Sequence, residues 1–311
     1  MTNQIPFSLT TSSQQLNPWA YIEELPANTL GTKITATPSY TAVAVAGDVT
    51  RKIDGVELPV RQAGAYTLYS LQSAGHDYDI TMNLNPQTIG ILKYGTDPQT
   101  NPQALQFIRV FKQSEGTMAL NTEYEFYLGF KCNTVNLDVS ARGLVTASMN
   151  WMGREITAPS QTSGLTTPTI PSFGSISGNV LSNVDNGNTP FTYNSIAYPI
   201  KEFHIQWNNN VFMDPFCGSD QGMADAATYG PIEITGSIVL PVGVSLVWEN
   251  LTHDYPQTGQ VAKMIIKQGT MVVNMTGFKA LSRDSPILAQ PTSALMNTIP
   301  FQCSTAVLGT S

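Results

Sequence analysis

Hydrophobic and polar residues alternate with a period of two wherever this chain shows a clear pattern. The clearest run places Tyr124, Phe126, Leu128 and Phe130, then Val135, Leu137 and Val139, opposite Asn136, Asp138 and Ser140. After the turn-like Ala141-Arg142-Gly143, the residues Val145, Ala147, Met149 and Trp151 alternate with Thr146, Ser148 and Asn150. This predicts a hairpin over Thr134 to Trp151 with one face buried. A second pair sets Phe203, Ile205 and Trp207 against His204, Gln206 and Asn208, and continues in Ile232, Ile234, Ile238 and Leu240 across Gly236. Two looser strands, Lys263 to Ile266 and Met271 to Met275, are joined by Gln268-Gly269. Upstream, Tyr66 to Leu71 and Tyr78 to Leu84 read as a further pair, ended by Asn85-Pro86. Helical periodicity is scarce: one helix is expected from about Pro102 to Lys112 and a short one near Pro18 to Glu24, where proline suits a first helical position. The expected fold is mainly β, an antiparallel β-sandwich or barrel-like arrangement with long hairpins and one or two short helices.

The segment Thr157 to Pro190 is rich in Ser, Thr, Gly, Pro and Asn and carries one charge, Asp185. So long a stretch without periodicity reads as a linker or as an arm that packs on a neighbouring subunit. It divides the chain into a first β half over residues 1–156, the insert over 157–190, and a second β half with a C-terminal extension over 191–311. Both halves share a plan of polar lead-in and long alternating strands, which suggests a weak internal duplication.

Composition changes the picture in one respect. Only 12% of residues are charged, against roughly a quarter in ordinary globular domains, so much of the surface is expected to lie against other protein. The net charge is −7 and no basic patch is visible, which excludes a nucleic-acid binder that gains affinity by neutralising phosphates. Cys132, Cys217 and Cys303 are widely spaced, with no Cys-x-x-Cys and no nearby histidine, and read as free thiols of a protein folded in a reducing cytoplasm. Met1 to Ser13 lacks the basic and apolar regions of a secretory signal, and no apolar run reaches the ~18 residues of a membrane span.

Candidate chemistry finds little support. His76-Asp77-Tyr78-Asp79 reads as a solvated strand face, His204 lies on the polar side of its strand, and His253 sits in a turn-like stretch. The segment Gly174-Ser175-Ile176-Ser177-Gly178 has isoleucine where a nucleophile elbow needs serine. Neither a phosphate loop nor a dinucleotide fingerprint is present, and the adjacent pair Glu23-Glu24 should point apart. No catalytic, cofactor-binding or metal-ligating residue is assigned, no cofactor is expected, and the chain does not read as an enzyme. Trp151 and Trp207 could instead stack on sugars, which keeps a carbohydrate-recognising β-sandwich as the alternative, although both continue apolar stripes.

One further likeness comes from the order of features. Tyr21-Ile22-Glu23-Glu24 precedes Gly31-Thr32; the hairpin Thr134 to Trp151 returns through Gly143 to Met149 and ends in Met152-Gly153-Arg154. Phe191 to Asn210 closes in Asn208-Asn209-Asn210 and is followed by Pro231-Ile232-Glu233-Ile234-Thr235-Gly236-Ser237. This order, from about Pro18 to Phe278, resembles the tail tube family of long-tailed bacteriophages and related tailed viruses. The resemblance implies a structural subunit that forms hexameric rings stacked into a tube. Its lumen would hold a tape-measure protein and pass genomic DNA without binding it specifically. Sheath, tail terminator or baseplate proteins would be further partners, and the virion tail its location, with assembly in the host cytoplasm and no membrane. The insert at Thr157 to Pro190 and the tail after Phe278 depart from that pattern. Either strand cluster, Thr134 to Trp151 or Phe203 to Leu240, is a candidate to line the lumen.

Overall fold

A computed structural model describes residues 19–24, 30–34, 40–43, 49–60, 70–86, 89–113, 121–140, 145–157, 191–214, 226–241, 260–267, 271–281 and 296–309. The first half contributes β1 (Trp19–Glu23), β2 (Thr41–Val43), β3 (Thr50–Val60), β4 (Ser70–Leu84), β5 (Leu105–Gln113), β6 (Asn121–Ser140), β7 (Thr146–Gly153) and β8 (Glu155–Ile156). Its short helix, α1 (Lys93–Thr96), precedes β5. The second half contributes β9 (Phe191–Tyr193), β10 (Ile196–Tyr198), β11 (Glu202–Asn208), β12 (Val211–Asp214), β13 (Ala226–Tyr229) and β14 (Glu233–Pro241). It continues with β15 (Val261–Lys267), β16 (Met271–Thr276), β17 (Lys279–Ala280), β18 (Met296–Cys303) and β19 (Thr305–Gly309). Among the described residues every strand pair is antiparallel, as the period-two pattern predicts.

Twelve strands form one hydrogen-bonded network that branches at β6. The main branch runs β3-β4-β7-β6-β11-β14-β18-β17, so strands from both halves of the chain join in one sheet. The side branch runs from the first part of β6 through β5 and β1 to β2, with β8 on the other flank of β6. A separate sheet, β10-β9-β15-β16-β19, and a ribbon, β12-β13, complete the described fold. The main core lies between the inner face of the main branch and the separate five-stranded sheet, with side chains of β1 and β5 added from the side branch, and joins Trp151, Phe107 and Phe130 to Trp207, Phe203, Phe301 and Met264. The buried Trp207 indole N–H donates to the carbonyl of Ala306 on β19 at 2.9 Å, which ties the separate sheet to the main one.

β6 serves both branches because two bulges turn its faces over. Between Leu105↔Phe130 and Phe107↔Tyr127 it has one residue more than β5, and Gly129 there has φ +70°. A second extra residue, Asn133, lies between Cys132↔Trp151 and Thr134↔Asn150. Phe126 and Leu128 therefore face a small second core with Ala20, Tyr40 and Ile108, while Tyr127, Phe130, Cys132, Val135, Leu137 and Val139 all face the main core. A bulge that uses a left-handed residue favours glycine, and that is what stands at 129.

Both predicted helices are strands. Leu105–Gln113 is β5 and Trp19–Glu23 is β1, and each is buried on both faces, with Leu105, Phe107, Trp19 and Tyr21 in the main core and Ile108 and Ala20 in the second. Burial on both sides erases the alternation by which a strand is read. The helix that does form, Lys93–Thr96, is too short for a helical period to be visible. Leu71 and Tyr78, expected on two paired strands, belong to one strand, β4, which lies between β3 and β7; between them Ser73-Ala74-Gly75 forms a bulge opposite Val56 and Glu57. Tyr66 to Tyr69 and residues 158–190 lie outside the described residues. The extension after Phe278 supplies β17, β18 and β19, of which β18 pairs β14 and β19 pairs β16.

Candidate functional site

Alternation gives the main branch a second face, pointing away from the core, and the strand register aligns its side chains in rows. One row runs Asn83, Ser148, Asn136, Gln206, Thr235, Gln302 and Lys279 across β4, β7, β6, β11, β14, β18 and β17. The next runs Thr146, Asp138, His204, Ser237 and Pro300. On the other side lie Thr50, Thr81, Asn150, Thr134, Asn208 and Glu233. Amides and hydroxyls dominate, and they bond sideways: the Asn150 Nδ2 donates to the Thr81 hydroxyl at 3.3 Å, and His204 Nδ1 lies 2.6 Å from Asp138 Oδ1. Among the described residues this polar face carries no aromatic platform. Trp151 and Trp207, the candidate sugar stackers, are fully buried on the opposite face.

The charge on this face is net acidic. Asp54, Asp77, Asp79, Asp138, Glu202 and Glu233 outnumber Lys52, Lys131 and Lys279. Burial raises the Asp79 carboxyl above its ordinary value; Lys52 pulls it down, while Asp77 and Asp54 push it further up. Lys131 lies with its Nζ 4.7 Å from the centre of the Tyr229 ring of β13. Burial holds its pKa below the ordinary lysine value, against the pull of Glu24.

Below this face, a corner of the fold is locked by Glu24. It is 6% exposed, and its carboxylate accepts the Gly129 N–H at 2.7 Å and the Gly31 N–H at 2.9 Å. The Arg154 side chain covers the same corner and donates to the Leu30 carbonyl at 2.5 Å, and its backbone N–H donates to the Leu128 carbonyl at 3.0 Å. Gly31 has φ +72°, in the left-handed region that favours glycine, and a Cβ there would lie 2.7 Å from Arg154 Cδ. Glu24 and Gly31, close in sequence, thus meet the distant Arg154 at the bulge where β6 changes sheets. Glu23 points the other way, to the Tyr94 hydroxyl and, at 3.4 Å, to Lys93. Two further buried polar groups hold the side branch. Gln106 accepts the Ile34 N–H at 2.8 Å and donates to the Tyr40 hydroxyl at 2.6 Å, and Glu125 meets Arg51, Arg109 at 3.8 Å and the Tyr127 hydroxyl at 2.6 Å.

Asn209 is the second lock. Fully buried, it donates from Nδ2 to the carbonyls of Gly95 in α1 at 2.9 Å and of Cys132 at 3.0 Å. Its backbone N–H donates to the Asn133 carbonyl at 2.8 Å, and the Asn133 side chain accepts the Val211 N–H at 3.0 Å. The second bulge of β6 is therefore tied to β12, to α1 and to the residue that follows β11.

The residues weighed for chemistry do not converge. His76 and Asp77 are exposed on β4, Asp79 lies on the same polar face as Asp77, and His204 is on the polar face as expected. His253, Cys217 and Gly174 to Gly178 lie outside the described residues. Cys132 and Cys303 are free and buried, and burial raises both thiols, Cys303 to about 12. Among the described residues no group of three His, Cys, Asp or Glu could hold a metal ion, and no helix is long and apolar enough to cross a membrane. Sequence reasoning misses Gly129, Gln106, Glu125 and the role of Asn209; the parity break in β6, between Phe130 and Val135, points to the bulge at Asn133 and leaves the one at Gly129 hidden.

No curated protein matches this chain. A family model described as phage tail tube protein matches residues 18–303, and the span includes every element just described except β19. The chain belongs to the phage tail tube protein family and is a structural protein of the viral tail.

Proposed function

We propose that the chain is the major subunit of the tail tube, that its copies form hexameric rings, and that the polar face of the main branch lines their lumen. The observation that supports this best is the row from Asn83 to Lys279, in which neutral amides and hydroxyls extend from β4 to β18 before the row ends on a lysine in β17. Such a row keeps a channel wet, and the acidic excess around it leaves phosphates unbound, so DNA and a tape-measure protein slide past. The two candidate lumen hairpins are neighbours in one sheet through β6 and β11, so both contribute to the same wall. The rings stack into a tube in the host cytoplasm and meet sheath, terminator or baseplate proteins. The chain has no catalytic task in this reading. Its insert at 157–190, which stands in the sequence between the β halves over 1–156 and 191–311, is in this reading the arm that contacts a neighbouring subunit.

Negative-stain microscopy of the purified protein tests the reading. Rings or tubes with a central channel are expected. A chain that stays monomeric at high concentration with its assembly partners present would overturn it.

A further inference from the structure

The main branch has two ends, and they differ in sign. At one end β3 pairs only β4, and at the other β17 pairs only β18, so among the described residues both outer edges lack a strand partner. Unpaired edges of a long sheet are sites where another chain can add. Each end also exposes a large aliphatic side chain, Ile53 at 48% and Leu281 at 51%.

The β3 end carries a feature that costs the isolated chain stability. Asp54 and Asp77 stand directly opposite each other on the outward face, with Asp79 opposite Lys52 beside them. Like charges facing across a strand pair are destabilising. Lys52 pairs with Asp54 and attracts Asp79 and Asp77 more weakly, and Asp77 is exposed and forms no salt bridge among the described residues. The β17 end carries the complement. Lys279 is exposed on the same outward face, opposite Gln302, and has no carboxylate partner among the described residues.

We infer that neighbouring copies join head to tail, with the β17 end of one, bearing Lys279 and Leu281, seated against the β3 end of the next, bearing Asp54, Asp77 and Ile53. The partner is a second copy of this chain, and the inference rests on the ring reading above. A head-to-tail contact uses two different patches, so opposite charges can sit on one molecule without self-pairing, and it closes into a ring when the rotation allows. The carboxylate pair that weakens the monomer is then relieved by the neighbour's lysine. Charge across such a contact also sets its register and rejects a reversed docking.

Charge exchange tests it. Lys279→Glu and Asp77→Lys are each expected to raise the concentration needed for assembly by roughly tenfold or more, because each sets like charges against each other. The chain carrying both substitutions regains assembly, read by sedimentation velocity and negative-stain microscopy. The unassembled Asp77→Lys chain should be at least as stable as the native one in a urea titration, since the introduced lysine would face Asp54, so its loss of assembly is not a folding defect. Native rings with both single variants assembling normally would overturn the contact and leave the tube reading standing. A native chain that never assembles would overturn both.

Discussion

The carboxylate of Glu24 accepts the amide hydrogen of Gly129 at 2.7 Å, although 105 residues separate them. Glu24 follows β1 and Gly129 is the bulge at which β6 leaves the side branch, so this bond fastens an early strand of the chain to the point where two sheets part. Glu24→Ala leaves the Gly129 and Gly31 amides without their acceptor, and a loss of about 2–4 kcal/mol is expected in urea titration of the unassembled protein. A loss below ~1 kcal/mol would show that water replaces the carboxylate at little cost.

The same carboxyl has a pH signature. Burial raises its pKa above the ordinary glutamate value, while the amides of Gly31 and Gly129, then Arg154 and Lys131, pull the other way. A folded pKa above the unfolded one means that the group's contribution is fully present below the ordinary glutamate range and is lost as pH rises through the folded value. The stability of the native chain relative to Glu24→Gln should therefore fall across that window as pH increases. A difference that is flat or rises with pH would contradict the assignment.

Asn209→Ala removes two donors from buried carbonyls, those of Gly95 and Cys132. A cost of about 2–4 kcal/mol is expected. Asn209→Asp should be worse, because it also places a charge in a fully buried site facing carbonyl oxygens. Thermal melts of the two variants would rank them, and Asp equal to or better than Ala would contradict the donor role.

Gly236 sits on β14 beside β11. A Cβ there would lie 2.3 Å from the His204 carbonyl oxygen and 2.4 Å from Phe301 Cζ. The ring belongs to a stack with Phe278 at 4.8 Å and Phe203 at 5.9 Å. Gly236→Ala is expected to cost about 3 kcal/mol or more, since the backbone oxygen cannot rotate away. Adding Phe301→Leu should restore little of it, and full rescue by that change would show that the ring alone had been the obstacle.

The lumen assignment predicts a separation of assembly from delivery. Asn136→Lys with Gln206→Lys adds cations to the neutral row without touching the core. Tubes should form in normal number, and infectivity per particle should fall on the order of tenfold or more as phosphates are held in the channel. Unchanged infectivity would move the lumen to another face.

How much of this is legible in the sequence depends on how many faces each strand buries. β7, β11 and β14 have one wet side, and their alternation correctly marks Met149, Trp151, Phe203, Ile205 and Ile238, all buried. β1 and β5 have none, so Trp19-Ala20-Tyr21 and Phe107-Ile108 lose their period and read as helix. In β6 the shift from even positions up to Phe130 to odd positions from Val135 is visible, but it shows one net change of parity. It cannot reveal that Gly129 and Asn133 turn the strand twice, nor that Glu24 and Asn209 hold those turns, because both are long-range contacts.

The double turn of β6 also has a mechanical side. Because one covalent backbone of 20 residues enters both branches, a load applied along that strand passes between them through peptide bonds, without relying on side-chain friction. Its neighbours β5, β7 and β11 are antiparallel along its length, so the pull shears their rungs together where a peeling force would open them singly. A wall built from such subunits resists stretching most strongly along β6, and its weakest direction lies across the ladder.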